Sequence, residues 1–154
     1  MGNFKQGIFK PKNKKKYIGN ADNIVFRSGW ELRVMNWLDQ NTNVIEWCSE
    51  ELMIPYFFQG DGKTHRYYPD FLIKLKSKNG VNRKIIIEVK PAKETVLPKK
   101  PKRMTKKSKV RYLNECMTYQ KNSDKWESAT AYAKKNGMEF KIMTEYDIYG
   151  QKGK

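Results

Sequence analysis

Two short apolar segments of the sequence each carry acidic residues whose spacing could serve a chemical reaction. Residues 68–73 include Asp70, and residues 85–90 include Glu88 and Lys90. If both segments are strands, successive side chains alternate between two faces, so Glu88 and Lys90 share a face. A buried carboxylate is costly unless it is paired or binds a cation. Two carboxylates beside a lysine therefore predict a site for Mg²⁺ and a phosphate group.

These residues include the groups that phosphodiester hydrolysis requires. Asp70 and Glu88 are the predicted ligands of Mg²⁺, with Mn²⁺ as a possible substitute, and a water whose pKa the metal lowers would be the nucleophile. Lys90 would orient that water or stabilise the charge that develops at phosphorus. The backbone carbonyl of Val89 is a further candidate oxygen ligand.

Glu31 is a third acidic candidate, and two interpretations of it stay open. Ser28 and Glu31 have the spacing of a capping box at the start of a helix. In the first interpretation Glu31 serves only the cap and the helix dipole. In the second it is a third metal ligand, because it lies at the border of the helix's apolar stripe. That stripe consists of Trp30, Val34, Trp37 and Leu38.

The charge of the chain predicts a polyanionic partner. Its 32 Lys and Arg residues against 16 Asp and Glu residues give a net charge of +16, which favours nucleic acid as the partner. No apolar run approaches the roughly 20 residues needed to span a bilayer, and the N-terminus lacks the apolar segment of a signal peptide. Cys48 and Cys116 have no metal-type spacing and are expected to be reduced thiols.

Two basic segments are candidates for contact with DNA. Residues 1–23 read as a basic arm, either a solvated tail or a phosphate-contacting segment. A lysine-rich insert at about residues 93–111 is expected to be a mobile loop close to the acidic residues. The residues predicted to contact DNA are Lys14, Lys15, Lys16, Lys99, Lys100, Lys102, Arg103, Lys106 and Lys107.

The elements that must position these residues form one predicted α/β domain over residues 24–150. The strands over residues 52–58, 65–75 and 84–90 would form an antiparallel meander, and Pro55 favours an edge position for the first of them. A strand that follows a helical crossover is expected to run parallel to an earlier strand of the same sheet. The predicted strands cover residues 44–47, 52–58, 65–75, 84–90 and 138–144, and helices after the first cover 112–120 and 124–136. Ser123 or Asp124 is the predicted N-cap of the last helix.

Taken together, residues 26–31, 68–71 and 88–91 resemble a branch of the restriction-endonuclease-like superfamily. Pro69-Asp70 and Glu88-Val89-Lys90 match its PD-(D/E)xK motif, and Glu31 matches the helix-borne glutamate found in the nuclease subunit of cut-and-paste transposons. The small size, basic arm and lysine-rich insert are similar to the head completion nucleases of T4-type tailed bacteriophages. The resemblance covers roughly residues 24–146.

The resemblance implies a fold, an activity and a biological setting. The fold would be an α/β/α sandwich with a mixed central sheet, and the activity would be Mg²⁺-dependent DNA cleavage by Glu31, Asp70, Glu88 and Lys90. The setting would be the processing of packaged DNA before the tail joins the filled head. Phage head or neck proteins would be partners, in the virion head and in the host cytoplasm during assembly.

Two other functions stay open. The protein could be a basic DNA-binding structural protein of the virion whose carboxylates only form ion pairs. It could also be a strand-cleaving subunit of a transposase or a repair enzyme on the same fold. The positions of Asp70 and Glu88 favour a nuclease, because acids that face a phosphate repel it unless a metal ion intervenes.

Overall fold

The protein is described here by a computed structural model, in which residues 6–150 fold around a mixed sheet with helices on both faces. The strands are β1 Gly7–Phe9, β2 Ile24–Phe26, β3 Val44–Ser49, β4 Ile54–Phe58, β5 Lys63–Tyr67, β6 Phe71–Leu75, β7 Arg83–Val89 and β8 Glu139–Met143. The α-helices are α1 Gly29–Gln40, α2 Lys106–Lys135 and α3 Glu145–Tyr149, and 3₁₀ turns cover Lys14–Lys16 and Ala92–Thr95.

The central sheet has four strands in the order β3-β6-β7-β8. The β3–β6 and β6–β7 pairs are antiparallel, whereas β7 and β8 are parallel and are joined through the α2 crossover. Helices α1 and α3 pack together on one face, and α2 packs on the other. This α/β/α arrangement with a mixed sheet confirms the predicted restriction-endonuclease-like fold.

Strand β7 connects the two cores because its side chains alternate between the two faces of the sheet. Ile85 and Ile87 are buried in the core that includes α1. Ile86 is buried in the core that includes α2, and Glu88, two residues on, shares its face. Burial of one such isoleucine contributes roughly 1.5–3 kcal/mol. The core thus holds the end of β7, where Glu88 lies, in a defined register.

The predicted strand over residues 65–75 is wrong, because residues 68–70 are not in a strand and separate β5 from β6. Pro69 lacks an N–H group and has a fixed φ, so it interrupts strand pairing. Strand β5 therefore pairs with β4 in a separate two-stranded sheet, while β6 begins anew in the central sheet. The two antiparallel pairings of the predicted meander are present, β4 with β5 and β6 with β7, but for the same reason they lie in separate sheets. Asp70 lies directly before β6 instead of within a strand.

The two helices predicted over 112–120 and 124–136 are one helix, α2, of 30 residues. Thr105 and Ser108 form a capping box at its start, so residues 106–111 of the insert are helical instead of a loop. Asp124, predicted as a cap, is buried and accepts hydrogen bonds from the Gln59 backbone N–H (2.9 Å) and side-chain amide (2.9 Å). The helix ends at Lys135 with Asn136 as its C-cap, within one residue of the predicted end, and Gly137 follows with φ of 68°.

The apolar stripe of α1 is only partly the predicted one. Val34 and Leu38 are buried, and Met35 joins them with no exposed surface. Trp37 is 49% exposed, so its predicted place in the core is wrong. The buried face of α1 therefore includes Met35 and excludes Trp37, since Val34, Met35 and Leu38 pack in one core cluster.

Part of the predicted basic arm packs on the body of the protein. Strand β1 pairs with β2, and Phe9 and Tyr17 are buried with their rings against Trp47 at centroid distances of 5.9 and 4.8 Å. Residues 1–5 of the arm lie outside the described residues. Within the described range 6–150, no helix has the length and apolar character needed to cross a membrane.

Candidate active site

A pocket of about 190 Å³ opens where the start of α1, the start of β6 and the end of β7 meet. Asp70 reaches it because the break at Pro69 precedes β6, and Glu31 reaches it from the first turn of α1. The structure thus brings together all four residues predicted to be catalytic and the predicted backbone ligand. The pocket residues that carry these predictions are Glu31, Asp70, Glu88, Val89 and Lys90.

Asp70 is joined directly to the strand that carries Glu88. Its Oδ2 accepts a hydrogen bond of 2.7 Å from the backbone N–H of Val89. Burial raises the pKa of Asp70 well above its usual range, and the charges of Glu88 and Glu31 raise it further. The N–H of Val89 and the charge of Lys90 oppose this rise in the pKa only in part, so the protein alone compensates the negative charge of Asp70 incompletely.

Glu88 is 8% exposed and has two partners that orient its carboxylate. Oε1 accepts a hydrogen bond of 2.6 Å from the hydroxyl of Tyr67, and Oε2 lies 3.6 Å from Nζ of Lys90. Burial, together with the charge of Glu88, raises the pKa of Tyr67, so its hydroxyl keeps its proton and remains a donor. Both oxygens of Glu88 are thus held by specific partners, and each keeps a second lone pair that a metal ion can use.

Glu31 has contacts that fit both interpretations of its role. Its backbone N–H donates to Oγ of Ser28 (3.1 Å), which is the predicted N-cap. Its Oε1 accepts from the backbone N–H of Arg27 (3.2 Å), one residue before the partner of a standard capping box. Burial raises the pKa of Glu31, and the charges of Glu50 and Glu88 add to this effect. The same side chain therefore supports the helix start and adds negative charge to the pocket.

The donor set suits Mg²⁺, although the acids are not gathered as a finished metal cage. In residues 6–150, no three side chains of the His, Cys, Asp and Glu types lie close enough together to hold a metal ion. Hydrogen bonds from described residues reach only Oδ2 of Asp70 and only Oε1 of Glu31, which leaves one oxygen of each for a ligand. Mg²⁺ is usually held by one or two carboxylates and keeps several waters, so it does not require a closed cage.

The basic residues predicted to contact DNA divide into two groups. Lys14, Lys15 and Lys16 lie in a 3₁₀ turn, and the ammonium of Lys16 donates to the backbone carbonyls of Leu38 (2.7 Å) and Asp39 (3.0 Å). These contacts are at the C-terminal end of α1, opposite to Glu31, and they complement the helix dipole. The structure does not bring this group to the pocket, and its contact with DNA stays a prediction.

The second group lies near a groove of about 1320 Å³ between the segment after β7 and the first half of α2. Lys99, Lys106 and Lys107 line the groove, and Glu94 lines both the groove and the pocket. The groove therefore adjoins the acidic residues, as expected for the lysine-rich insert. The other members, Lys100, Lys102 and Arg103, are exposed in the connection to α2.

Several residues near the site were missed at the sequence level. Arg27 lines the pocket and is held by Glu50 through two hydrogen bonds of 2.9 and 3.1 Å, and Tyr67 binds Glu88. Lys125 of α2 lies 5.5 Å from the ring centroid of Tyr67. None of these contacts has a short-range sequence signal, because each joins residues about 20 or more positions apart.

Comparison with known proteins supplies evidence independent of the geometry. The family model described as "TnsA-like endonuclease N terminal" matches residues 41–145, a range that contains Asp70, Glu88 and Lys90 and begins after Glu31. The chain is 43% identical over 139 residues to the "Head completion nuclease" of Enterobacteria phage T4, and the alignment covers 90% of each chain.

Proposed function

This chain belongs to the TnsA-like endonuclease family and is a nuclease, and from that premise we propose that it hydrolyses phosphodiester bonds of DNA with Mg²⁺ held by Asp70 and Glu88. The observation that carries the proposal is the convergence of Glu31, Asp70, Glu88 and Lys90 on one pocket. Mn²⁺ would be able to replace Mg²⁺, because both accept carboxylate oxygens.

Each residue of the pocket would have a separate task. Bound Mg²⁺ supplies charge neutralisation at the phosphate and lowers the pKa of a water. The N–H of Val89 orients Asp70, and the hydroxyl of Tyr67 orients Glu88. Lys90 lies beside Glu88 and would stabilise the negative charge that develops at phosphorus. Preorganised groups of this kind need no rearrangement during the reaction.

Two further ligands are part of the proposal. Glu31 would complete the coordination through a water or would bind a second ion, because the three acids do not lie close enough together to hold one ion directly. One of its carboxylate oxygens accepts no hydrogen bond from the described residues. Val89 lines the pocket, and its backbone carbonyl would be an additional oxygen ligand. Both contribute oxygen atoms, which are the ligands that a hard cation prefers.

The alternative of a purely DNA-binding structural protein explains less of the site. If the acids served only as fold-stabilising ion pairs, each would need a basic partner. Glu88 has Lys90 at 3.6 Å, but the ion pairs found in residues 6–150 include neither Asp70 nor Glu31. Burial first, and then the charges of neighbouring carboxylates, raise the pKa values of Asp70 and Glu31. A bound cation would oppose both effects, whereas an ion pair that stabilises the fold would already lower these pKa values.

The biological role proposed for the chain rests on its relative. The high identity over 90% of both chains supports a head completion role in a tailed phage. The enzyme would process packaged DNA before the head joins the tail, in contact with head or neck proteins, in the virion head and the host cytoplasm. The second group of basic residues would contact the DNA backbone on the way into the pocket.

The experiment is cleavage of plasmid DNA with Mg²⁺ or with EDTA by the wild type, Glu88→Gln and Asp70→Asn. We expect the wild type to cut only with Mg²⁺, and each variant to be slower by more than about 100-fold, since changes outside the ligand set alone already reach that size. Both variants should bind DNA as well as the wild type or more tightly, because a negative charge has been removed.

A matched control is Glu127→Gln, which makes the same charge change at a position of α2 outside the pocket. It should cut like the wild type. Wild-type rates for both Glu88→Gln and Asp70→Asn would show that the metal site is elsewhere, and equal cutting in EDTA would overturn the dependence on a metal ion.

A further inference from the structure

Two lysines of α2 lie over aromatic rings of the β4–β5 hairpin. Nζ of Lys121 is 5.3 Å from the ring centroid of Phe58. Nζ of Lys125 is 5.5 Å from that of Tyr67 and 5.9 Å from that of Tyr56. Cation–π attraction at such distances restrains an ammonium group. Because the two lysines are four residues apart on one helix, they are neighbours on its surface.

Lys125 is linked to the acids of the pocket through a single aromatic ring. The ring of Tyr67 lies under the ammonium of Lys125, and the hydroxyl of the same ring donates to Glu88. Burial lowers the pKa of Lys125, while the charge of Glu88 opposes that effect and the charge of Lys90 adds to it. Lys125 is therefore close enough to the pocket to interact with both charged partners at the end of β7.

Within the part of the chain that the structure describes, neither lysine has an acceptor for its ammonium hydrogens. The hydrogen bonds and ion pairs formed within residues 6–150 do not involve the ammonium group of Lys121 or Lys125, in contrast to Lys16 and Lys90. Asp124 lies between them in sequence, but its carboxylate accepts from Gln59 and Gln120 instead. An ammonium group has three donors, so one that lies without acceptors can receive an anionic oxygen.

We propose that Lys121 and Lys125 form a phosphate-binding site that receives a second phosphate of the DNA strand, next to the one at Lys90. Two like charges one helical turn apart repel each other, and a phosphodiester anion would relieve that repulsion. The aromatic rings would reduce the conformational entropy lost when the anion binds. The inference rests on the proposed function for the identity of the ligand as DNA.

The alternative is that these lysines only stabilise the hairpin by covering its aromatic rings. The two possibilities differ in how many phosphates the protein neutralises, which the salt dependence of DNA binding measures. The experiment therefore compares Lys121→Gln/Lys125→Gln with Lys134→Gln/Lys135→Gln. The second pair makes the same charge change in the last turn of the same helix.

Binding of a fluorescent DNA duplex is measured in EDTA at several salt concentrations. In Lys121→Gln/Lys125→Gln the slope of log K against log salt should fall by roughly 0.9 for each phosphate that is no longer neutralised. It should stay unchanged in the control pair. Equal slopes for the two double variants would overturn the proposal. If Lys121→Gln/Lys125→Gln also melts at a lower temperature than the wild type while its slope is unchanged, stabilisation of the hairpin is the only role of the two lysines.

Cleavage with Mg²⁺ at subsaturating DNA provides a second measurement. Lys125→Gln should cut about tenfold more slowly, the size expected when one charge-assisted hydrogen bond is removed, and Lys125→Arg should recover most of the rate. If the wild type fails to cut but the slopes still differ, the phosphate site stands and the proposed nuclease mechanism fails. If the wild type cuts and the slopes agree, the nuclease stands and the phosphate site fails.

Discussion

The acidic pocket and the basic segment before α2 differ in whether their charged side chains are fixed by specific contacts. In the pocket, Asp70, Glu88 and Glu31 each accept a hydrogen bond from a specific donor, at 2.7, 2.6 and 3.2 Å. In the basic segment, residues 99–103 include four basic side chains that are exposed and take part in no ion pair found in residues 6–150. The function expected of the pocket depends on the exact positions of its oxygen atoms, whereas that of the segment depends on the number of its positive charges.

This difference follows from what each region would bind. A metal ion requires oxygen atoms at defined distances, so its ligands must be held. A DNA backbone is a row of similar charges, and non-specific attraction to it is nearly independent of exact geometry. Isosteric changes should therefore be severe in the pocket, and conservative Lys→Arg changes should be mild in the segment.

The largest effect in this comparison is expected for Glu31→Gln. Glutamine can keep the hydrogen bond with the N–H of Arg27 but lacks the negative charge that Mg²⁺ prefers. Cleavage should fall by about 100-fold or more, while thermal stability without metal should be unchanged or higher because like charges repel in the pocket. The measurements are cleavage rate and melting temperature, each with and without Mg²⁺.

The result would also separate the two interpretations of Glu31. A residue that only caps α1 contributes roughly 0.3–1 kcal/mol through the helix dipole. If Glu31→Gln cuts normally and melts slightly lower, Glu31 belongs to the helix cap and the pocket has two functional acids.

The next effect concerns the basic segment. Replacing its four basic residues, together with Lys106 and Lys107 at the start of α2, with glutamine should weaken binding by at least about tenfold, with little dependence on DNA sequence. The salt slope should fall by roughly 0.9 for each phosphate that is no longer neutralised. The same positions changed between Lys and Arg should keep the slope. The replaced residues are Lys99, Lys100, Lys102, Arg103, Lys106 and Lys107. An unchanged slope after neutralisation would show a solvated surface that does not bind DNA.

A smaller effect is expected for Tyr67→Phe, which removes the donor to Oε1 of Glu88 and keeps the ring. A hydrogen bond to a charged group contributes roughly 1.5–3 kcal/mol, and removal of an orienting hydrogen bond should slow cleavage by roughly tenfold. Tyr56→Phe is the matched control, since Tyr56 is buried in the same hairpin and its hydroxyl does not donate to Glu88. Equal rates for the two variants would remove Tyr67 from the support of the site.

The smallest effect is the pH dependence of stability without metal. The folded-state pKa of Asp70 is raised above 3.8, and that of Glu31 above 4.5, by burial first. A raised carboxyl pKa stabilises the folded state while the group is protonated, and this contribution is lost as the pH rises through the folded pKa. Wild-type stability should therefore fall relative to Asp70→Asn as the pH rises above about 4, by at most about 1.4 kcal/mol per pH unit.

Urea unfolding in EDTA at several pH values measures this difference. Taking the difference from Asp70→Asn cancels the opposite contribution of exposed acids such as Glu139, whose pKa is lowered by Arg83. Parallel stability curves for the two proteins would mean that Asp70 is not destabilised by its surroundings.

Much of the fold could be predicted because it follows from residue patterns that are short in sequence. The alternation of β7, the Ser28 cap of α1 and the parallel position of β8 follow from residue spacing and from the strand–helix–strand order. The failures have one cause each. Pro69 divides a continuous apolar pattern into two strands of different sheets. Helix α2 continues through residues 121–123, since the carboxylate of Asp124, the predicted cap, accepts hydrogen bonds from Gln59 and Gln120.

Asp124 shows why local propensity was overridden there. Ser and Asp in a helix interior compete with the backbone and favour a cap, which is the basis of the predicted break. In the structure the carboxylate of Asp124 is used by Gln59 of the hairpin and Gln120 of the helix itself, and Ala129, further along the same helix, is fully buried in the core. The free energy that these tertiary contacts contribute exceeds the local preference of the sequence for a helix break.

By itself, the sequence determined the types of the reactive residues, the shared face of Glu88 and Lys90, and the high positive charge. Only the tertiary structure decided which groups orient the acids: the N–H of Val89 for Asp70 and the hydroxyl of Tyr67 for Glu88, across 19 and 21 positions. Spacing along a strand or helix is a local property of the backbone. Hydrogen bonds between distant segments depend on how the two cores pack, and that packing is set by the whole chain.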